Sequence, residues 1–153
     1  MSLEVGAQAP DFTLKDPAGN EVTLSSFRGE QGVVIVFYPF TFTGVCEGEL
    51  CALRDDIAAF EASGVQVLAI SCDSRHSQRI WSEQQGYTFP VLSDFWPHGA
   101  VAKAYGVFNE DLGCAMRATF VVNKAGNIVD TFATANLGTA REKAAYDAAL
   151  AKL

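Results

Sequence analysis

The run Val33-Val34-Ile35-Val36-Phe37-Tyr38 is apolar without a break, rich in β-branched residues, and stopped by Pro39. It reads as a buried strand, and no other segment limits so firmly how the chain can be arranged. A loop comes next, Phe40-Thr41-Phe42-Thr43-Gly44-Val45. From Cys46 the apolar spacing becomes that of a helix, with Leu50, Leu53, Ile57 and Phe60 on one face. A thiol in the first turn of such a helix sits at the positive end of its dipole, among amides that lack a helical partner. Those surroundings favour the thiolate, which is the nucleophilic form of cysteine.

Around this unit the spacing predicts strands at Phe12–Leu14 and Glu21–Leu24, joined as a hairpin by Asp16-Pro17-Ala18-Gly19-Asn20. The helix Cys46–Phe60 is followed by a buried strand at Val65–Ser71. A helix at Arg75–Gln85 is stopped by Gly86. Phe89–Leu92 reads as a short strand, Ser93–Gly99 as a loop and Val101–Tyr105 as a short helix. Strands Thr119–Val122 and Ile128–Thr134 flank the turn Asn123–Asn127, and alanine-rich Ala140–Leu150 closes as a helix. A parallel βαβ unit followed by an antiparallel ββα unit is the thioredoxin-like order. The expectation is an α/β fold with a central mixed sheet flanked by helices and an N-terminal hairpin, in one domain over residues 1–153.

Charge and cysteine usage exclude several function classes. A formal charge of −7 argues against non-specific binding to nucleic acid or anionic lipid. No apolar run is long enough to span a bilayer. Met1–Asp11 has no basic stretch followed by an apolar one, so a cytoplasmic protein is expected. Four cysteines in 153 residues do not make a secreted disulfide framework. No Cys-x-x-Cys is present and neither His76 nor His98 has ligand spacing to a cysteine pair, so no metal site is expected. The scattered glycines form no phosphate-binding loop, and no cofactor is implied.

The spacing Pro39, Thr43, Cys46 and the distant segment Arg117-Ala118-Thr119-Phe120-Val121 resemble the peroxiredoxin family, as does the opening Gly6-Ala7-Gln8-Ala9-Pro10-Asp11-Phe12. The stretches Phe42–Leu50, Ser93–Val101 and Tyr105–Glu110 are similar to the alkyl hydroperoxide reductase E (AhpE) group of that family. The resemblance implies a thiol-dependent peroxidase whose Cys46 is oxidised to a sulfenic acid by a hydroperoxide. Hydrogen peroxide, organic hydroperoxides and peroxynitrite are the substrates it suggests. Thiolate formation alone gains about thirtyfold over an ordinary thiol, and lower basicity takes part of that back. Stabilising the charge that shifts onto the leaving oxygen must supply most of the rate. By resemblance, Arg117 and Thr43 face the sulfur and the peroxide, and Pro39 packs against the sulfur to limit water entry and over-oxidation. Glu49, three residues after Cys46, either orients Arg117 or caps the helix start. The reductant implied is thioredoxin, mycoredoxin or a low-molecular-weight thiol, and a homodimer is expected.

Cys51 departs from the one-cysteine members of that group. The spacing Cys46…Cys51 resembles the bacterioferritin-comigratory (Prx Q) peroxiredoxins, which implies a resolving role for Cys51 through an intramolecular disulfide. The bland alternative is a small helix residue facing the fold. Cys72, at a strand end, and Cys114, in a loop, read as buried accessory residues. His98 reads as a local cap or surface residue, His76 as exposed, and Phe95-Trp96-Pro97 as loop packing or dimer contact. A thiol–disulfide oxidoreductase would carry a cysteine where Glu49 stands, and a binding module would not need Thr43 and Arg117 around a thiol.

Overall fold

A computed structural model describes residues 3–153, so the first two residues of the Met1–Asp11 segment lie outside it. The chain opens on the hairpin β1 (Thr13–Lys15) and β2 (Glu21–Thr23). Asp16 closes this hairpin by accepting from the amides of Ala18 and Asn20 at 3.0 and 2.9 Å. A 3-10 turn at Leu24–Phe27 leads to β3 (Gly32–Phe37), buried at every position. Then come α1 (Gly44–Asp55), α2 (Ile57–Ala62), β4 (Val65–Ser71), α3 (Arg75–Gln85), β5 (Val91–Ser93) and α4 (Ala100–Ala104). A small separate hairpin, β6 (Phe108–Asn109) and β7 (Cys114–Ala115), precedes β8 (Ala118–Val122), β9 (Ile128–Ala133) and α5 (Lys143–Leu150).

Seven strands form one mixed sheet in the order β2-β1-β5-β4-β3-β8-β9. Strands β3, β4 and β5 run parallel, while β8 runs antiparallel to β3, from Val33 opposite Val122 to Phe37 opposite Ala118. The carboxyl ends of β3, β4 and β5 therefore share one sheet edge with the amino end of β8. That edge carries the loop to Cys46, then Cys72, Asp94 and Arg117. Alternation along β3 serves both faces. Val34, Val36 and Tyr38 pack with Leu50, Phe60, Trp81 and Tyr146 from α1, α2, α3 and α5. Val33, Ile35 and Phe37 pack on the other face with Phe12, Ala102, Tyr105 and Phe120. This is the expected thioredoxin-like α/β arrangement.

The differences from the sequence reading have local causes. The helix expected over Cys46–Phe60 begins two residues earlier and breaks at Asp56. Asp55 and Asp56 are poor helix formers, their carboxylates pair with Arg54 and Lys143, and Arg54 reaches out to the Gln85 backbone carbonyl at 2.6 Å. The strand expected at Phe89–Leu92 starts only at Val91, after Pro90. Cys114, expected in a loop, lies in the β6–β7 hairpin, whose strands of two residues are too short for an alternation signal. The last helix starts at Lys143 rather than Ala140, and ahead of it the Arg141 amide donates to Glu49 at 2.7 Å. Gly86, in the left-handed conformation at φ 69°, ends α3 as its position predicts. His98 is exposed, with its ring nitrogens 3.2 Å from the Phe95 carbonyl and 2.7 Å from that of Gly113. No helix among the described residues is long and apolar enough to cross a membrane.

Candidate active site

Pro39 is buried at the end of β3, and the loop after it is tied down before α1 begins. The Tyr38 hydroxyl lies 2.9 Å from Thr41 Oγ1, and the Thr41 amide donates to Asp73 Oδ2 at 2.8 Å. Phe42 then takes φ 65°, a left-handed conformation that a bulky residue adopts only when its neighbours enforce it. Thr43 is the residue before α1, but its hydroxyl caps no amide of the helix and donates instead to the Phe40 carbonyl at 2.7 Å. The first helical hydrogen bond runs from Glu47 N to Thr43 O at 2.9 Å. The amides of Gly44, Val45 and Cys46 consequently point out of the helix start without a helical acceptor. Cys46 is the third residue of the helix and fully buried.

One turn further on, Glu49 gathers two arginines. Its Oε1 accepts from Arg117 Nη1 at 2.7 Å and from Arg141 Nη2 at 2.8 Å. Its Oε2 accepts from Arg141 Nε at 2.8 Å and from the Arg141 amide at 2.7 Å. Arg117 also donates Nε to the Leu137 carbonyl at 2.7 Å, and Arg141 donates Nη1 to the Phe37 carbonyl at 2.7 Å. All three side chains are buried. Burial pushes the Glu49 carboxyl up, but the hydrogen bonds and charge of Arg141, then those of Arg117, outweigh it and hold the group below its ordinary value. Two guanidiniums against one carboxylate leave the cluster with one net positive charge, on the helix that carries Cys46. Of the two roles read for Glu49, its contacts are those of an orienting carboxylate. Neither Arg117 nor Thr43 is hydrogen-bonded to the sulfur in this structure: Arg117 is engaged by Glu49 and Leu137, Thr43 by Phe40.

Arg141 escaped the sequence reading. Its signal was present: in a helix starting at Ala140, Arg141 would set a cation at the positive end of the dipole, where an acid is preferred. It lies instead before the helix, where its charge and its amide both serve Glu49.

Cys51 is half-buried on a different face of α1, its thiol donating to Gln85 Oε1 at 3.5 Å with the Tyr87 hydroxyl at 3.6 Å. Cys72 and Cys114 are buried. Burial, reinforced by the Asp94 charge, pushes the Cys72 thiol up to about 12. Burial followed by the charges of Cys46 and Asp73 raises that of Cys114. Both shifts disfavour the thiolate form that reaction requires. Among the described residues no group of three or more His, Cys, Asp or Glu is arranged to hold a metal ion.

A family profile described as "AhpC/TSA family" matches residues 5–131. The chain is 55% identical over 126 residues to alkyl hydroperoxide reductase E of Mycobacterium tuberculosis, with 82% of each chain covered. It is similar to the crystal structure of peroxidoxin BcpB from M. tuberculosis at TM-score 0.86 and 30% identity, covering 98% of this chain and 96% of that one. Against the crystal structure of Enterococcus faecalis AhpC the TM-score is 0.87 at 27% identity, over 99% and 92% of the two chains.

The Glu49 cluster has a measurable acid limit. A carboxyl held below its ordinary 4.5 contributes stability that is fully present above that pH and is lost as pH falls below it. Thermal melts from pH 7 down to pH 3 will show this loss in the wild type. Glu49→Gln will be less stable at neutral pH, by about 3–5 kcal/mol, because two buried arginines lose their counter-charge. Its stability will also fall less steeply over the acid range. Parallel pH profiles for the two proteins would refute the assignment.

Proposed function

The chain belongs to the AhpC/TSA family of peroxiredoxins, thiol-dependent peroxidases, and we propose that it reduces hydrogen peroxide and organic hydroperoxides through Cys46. The observation that carries the choice of residue is the buried Glu49–Arg117–Arg141 cluster, one charge in surplus, one turn from a cysteine at a helix start. A net positive charge out of reach of water favours negative charge beside it, first on the sulfur and then on the oxygen that departs.

The thiolate of Cys46 attacks the terminal oxygen of the hydroperoxide. The S–O bond forms as the O–O bond breaks, and the departing oxygen takes up a proton and leaves as water or an alcohol. Cys46 is left as a sulfenic acid. Arg117 commits Nε to Leu137 and one Nη1 proton to Glu49, so its remaining Nη protons are its donors toward the peroxide. The Thr43 hydroxyl has its proton on the Phe40 carbonyl, which leaves the oxygen free to accept from the peroxide O–H. The Cys46 amide at the helix start is a further donor. Buried Pro39 limits the access of water and of a second peroxide. Glu49 and Arg141 touch no substrate; they fix the direction of Arg117.

Cys51 resolves the sulfenic acid as an intramolecular disulfide with Cys46, which thioredoxin, a mycoredoxin or a low-molecular-weight thiol reduces. In this reading the chain works as one domain, residues 1–153, in the cytoplasm. It pairs as a homodimer through the surface beside the active-site loop. Exposed Phe42, Phe95 and Trp96 at the same sheet edge supply apolar area for that pairing.

Peroxide consumption will be abolished in Cys46→Ser and largely kept in Cys72→Ser and Cys114→Ser; substantial turnover without Cys46 would sink the nucleophile assignment. Stopped-flow oxidation of Arg117→Ala will be slower by on the order of 10²–10³, the usual effect of losing a donor to transition-state charge. Arg117→Lys will recover only part, since a point charge does not reproduce the planar fork; an unchanged rate in Arg117→Ala would place it outside the site. With thioredoxin as reductant, Cys51→Ser will lose turnover while its first oxidation stays fast, and peptide mapping will find the Cys46–Cys51 link only in the wild type. Equal capture of sulfenic acid by dimedone in both proteins, with no cross-link, would leave Cys51 as packing.

A further inference from the structure

Glu47 and Cys51 stand four residues apart on α1, so they face α3 together. Glu47 Oε1 accepts from Trp81 Nε1 at 3.3 Å and from Gln85 Nε2 at 2.9 Å. Cys51 Sγ donates to Gln85 Oε1 at 3.5 Å. Gln85 thus bridges the two, and chemistry fixes which way its amide points. An ionised carboxylate only accepts, so the NH2 group turns to Glu47 and the carbonyl oxygen to Cys51. That oxygen also only accepts, so the contact exists only while Cys51 carries its proton. The Arg54 guanidinium on the Gln85 backbone carbonyl, at 2.6 Å, adds a fourth hydrogen bond between the same two helices.

These contacts play no part in the attack on peroxide, but they bear on the fate of the sulfenic acid it produces. Five residues along an α-helix turn a side chain by about 140° and carry it ~7.5 Å along the axis. Two cysteines so placed cannot bond until the helix between them opens. Opening residues 46–51 necessarily pulls Glu47 and Cys51 away from Gln85.

We propose that Gln85, anchored by Glu47, is a positioning residue that holds the Cys51 thiol against α3 and sets how often it is released toward the Cys46 sulfenic acid. The proposal rests on the reading of Cys51 as the resolving thiol. On release, the Cys51 sulfur attacks the sulfur of the sulfenic acid. The S–S bond forms, the S–O bond breaks, and the hydroxide leaves as water with the proton from Cys51. No further oxidant or reductant enters. A second hydroperoxide competes for the same sulfenic acid and converts it to sulfinic acid, so the strength of the Gln85 bridge sets the balance between recycling and inactivation.

The test compares full-length wild type, Gln85→Met and Trp81→Phe after one equivalent of hydrogen peroxide, by rapid alkylation quench and mass spectrometry. Gln85→Met keeps side-chain length and removes both hydrogen bonds. Its first oxidation is expected at the wild-type rate and its disulfide about three- to tenfold faster, the effect of losing two modest hydrogen bonds. Its sulfinic fraction in excess peroxide falls accordingly. Trp81→Phe removes the N–H on Glu47 together with part of the buried indole; a roughly twofold acceleration of the disulfide step relative to first oxidation is expected, and that ratio carries the test alone if Gln85→Met does not fold. A purely structural role would lower the urea midpoint and leave the ratio of disulfide to first-oxidation rate unchanged. Wild-type disulfide rates in both variants would overturn the bridge and leave Cys51 as resolving thiol. No Cys46–Cys51 disulfide in any of the three proteins would overturn both.

Discussion

A single buried carboxylate ties together the segments around the start of α1. Glu49 joins Arg117, which immediately precedes β8, to Arg141, which precedes α5, and Arg141 in turn holds the last carbonyl of β3. Segments far apart in the chain converge on two oxygen atoms. Such an ion cluster is a poor source of stability, because removing three charges from water offsets most of their attraction. Its physical value lies in direction. A guanidinium bound at Nε and Nη1 has one orientation left, and in the mechanism we propose its remaining donors need no reorganisation at the moment of reaction.

Helix α1 answers two opposed demands. In the proposed mechanism its first turn must be fixed, since the unpartnered amides and the buried sulfur act together only while that turn is helical. Yet Cys51, if it is to meet Cys46, requires the same turn to come apart. The side chains divide along these lines. Cys46, Glu49, Leu50 and Leu53 form the buried face that binds α1 to the sheet and the arginines. Glu47 and Cys51 form a lateral face held to α3 by hydrogen bonds of 2.9 and 3.5 Å. The apolar face resists opening through area removed from water, the lateral face through bonds that water can replace one by one.

The sequence disclosed this division only in part. The buried strand at Val33–Tyr38, the helix that starts near Cys46 and the distant Arg117 were legible because each is written in local pattern or in motif spacing. Arg141 was not, because its role depends on a partner 92 residues away and nothing in its own neighbourhood announces it except a charge of the wrong sign for a helix start. The Asp56 break was hidden by apolar spacing that continues through Ile57 to Phe60. The β6–β7 hairpin is too short to carry a period. The contact between Glu47 and Gln85 was not legible, since a hydrogen bond between helices leaves no trace in either helix's periodicity.

The loop between β3 and α1 shows how such a helix start is kept in place. Phe42, at φ 65°, carries strain of about 1–3 kcal/mol. Strain of that size persists only if the residues on both sides are over-determined. Before it, Thr41 is held by Asp73 and Tyr38; after it, Thr43 is held to Phe40 through its hydroxyl and to Glu47 through its carbonyl. The Phe42 ring, half exposed, lies 6.3 Å from Trp81, the residue whose indole N–H reaches Glu47. Opening the first turns of α1 would release both Thr43 and Glu47, and with them the constraints on Phe42. The strain therefore opposes the apolar face, and under the proposed resolving role of Cys51 it would favour the opened helix.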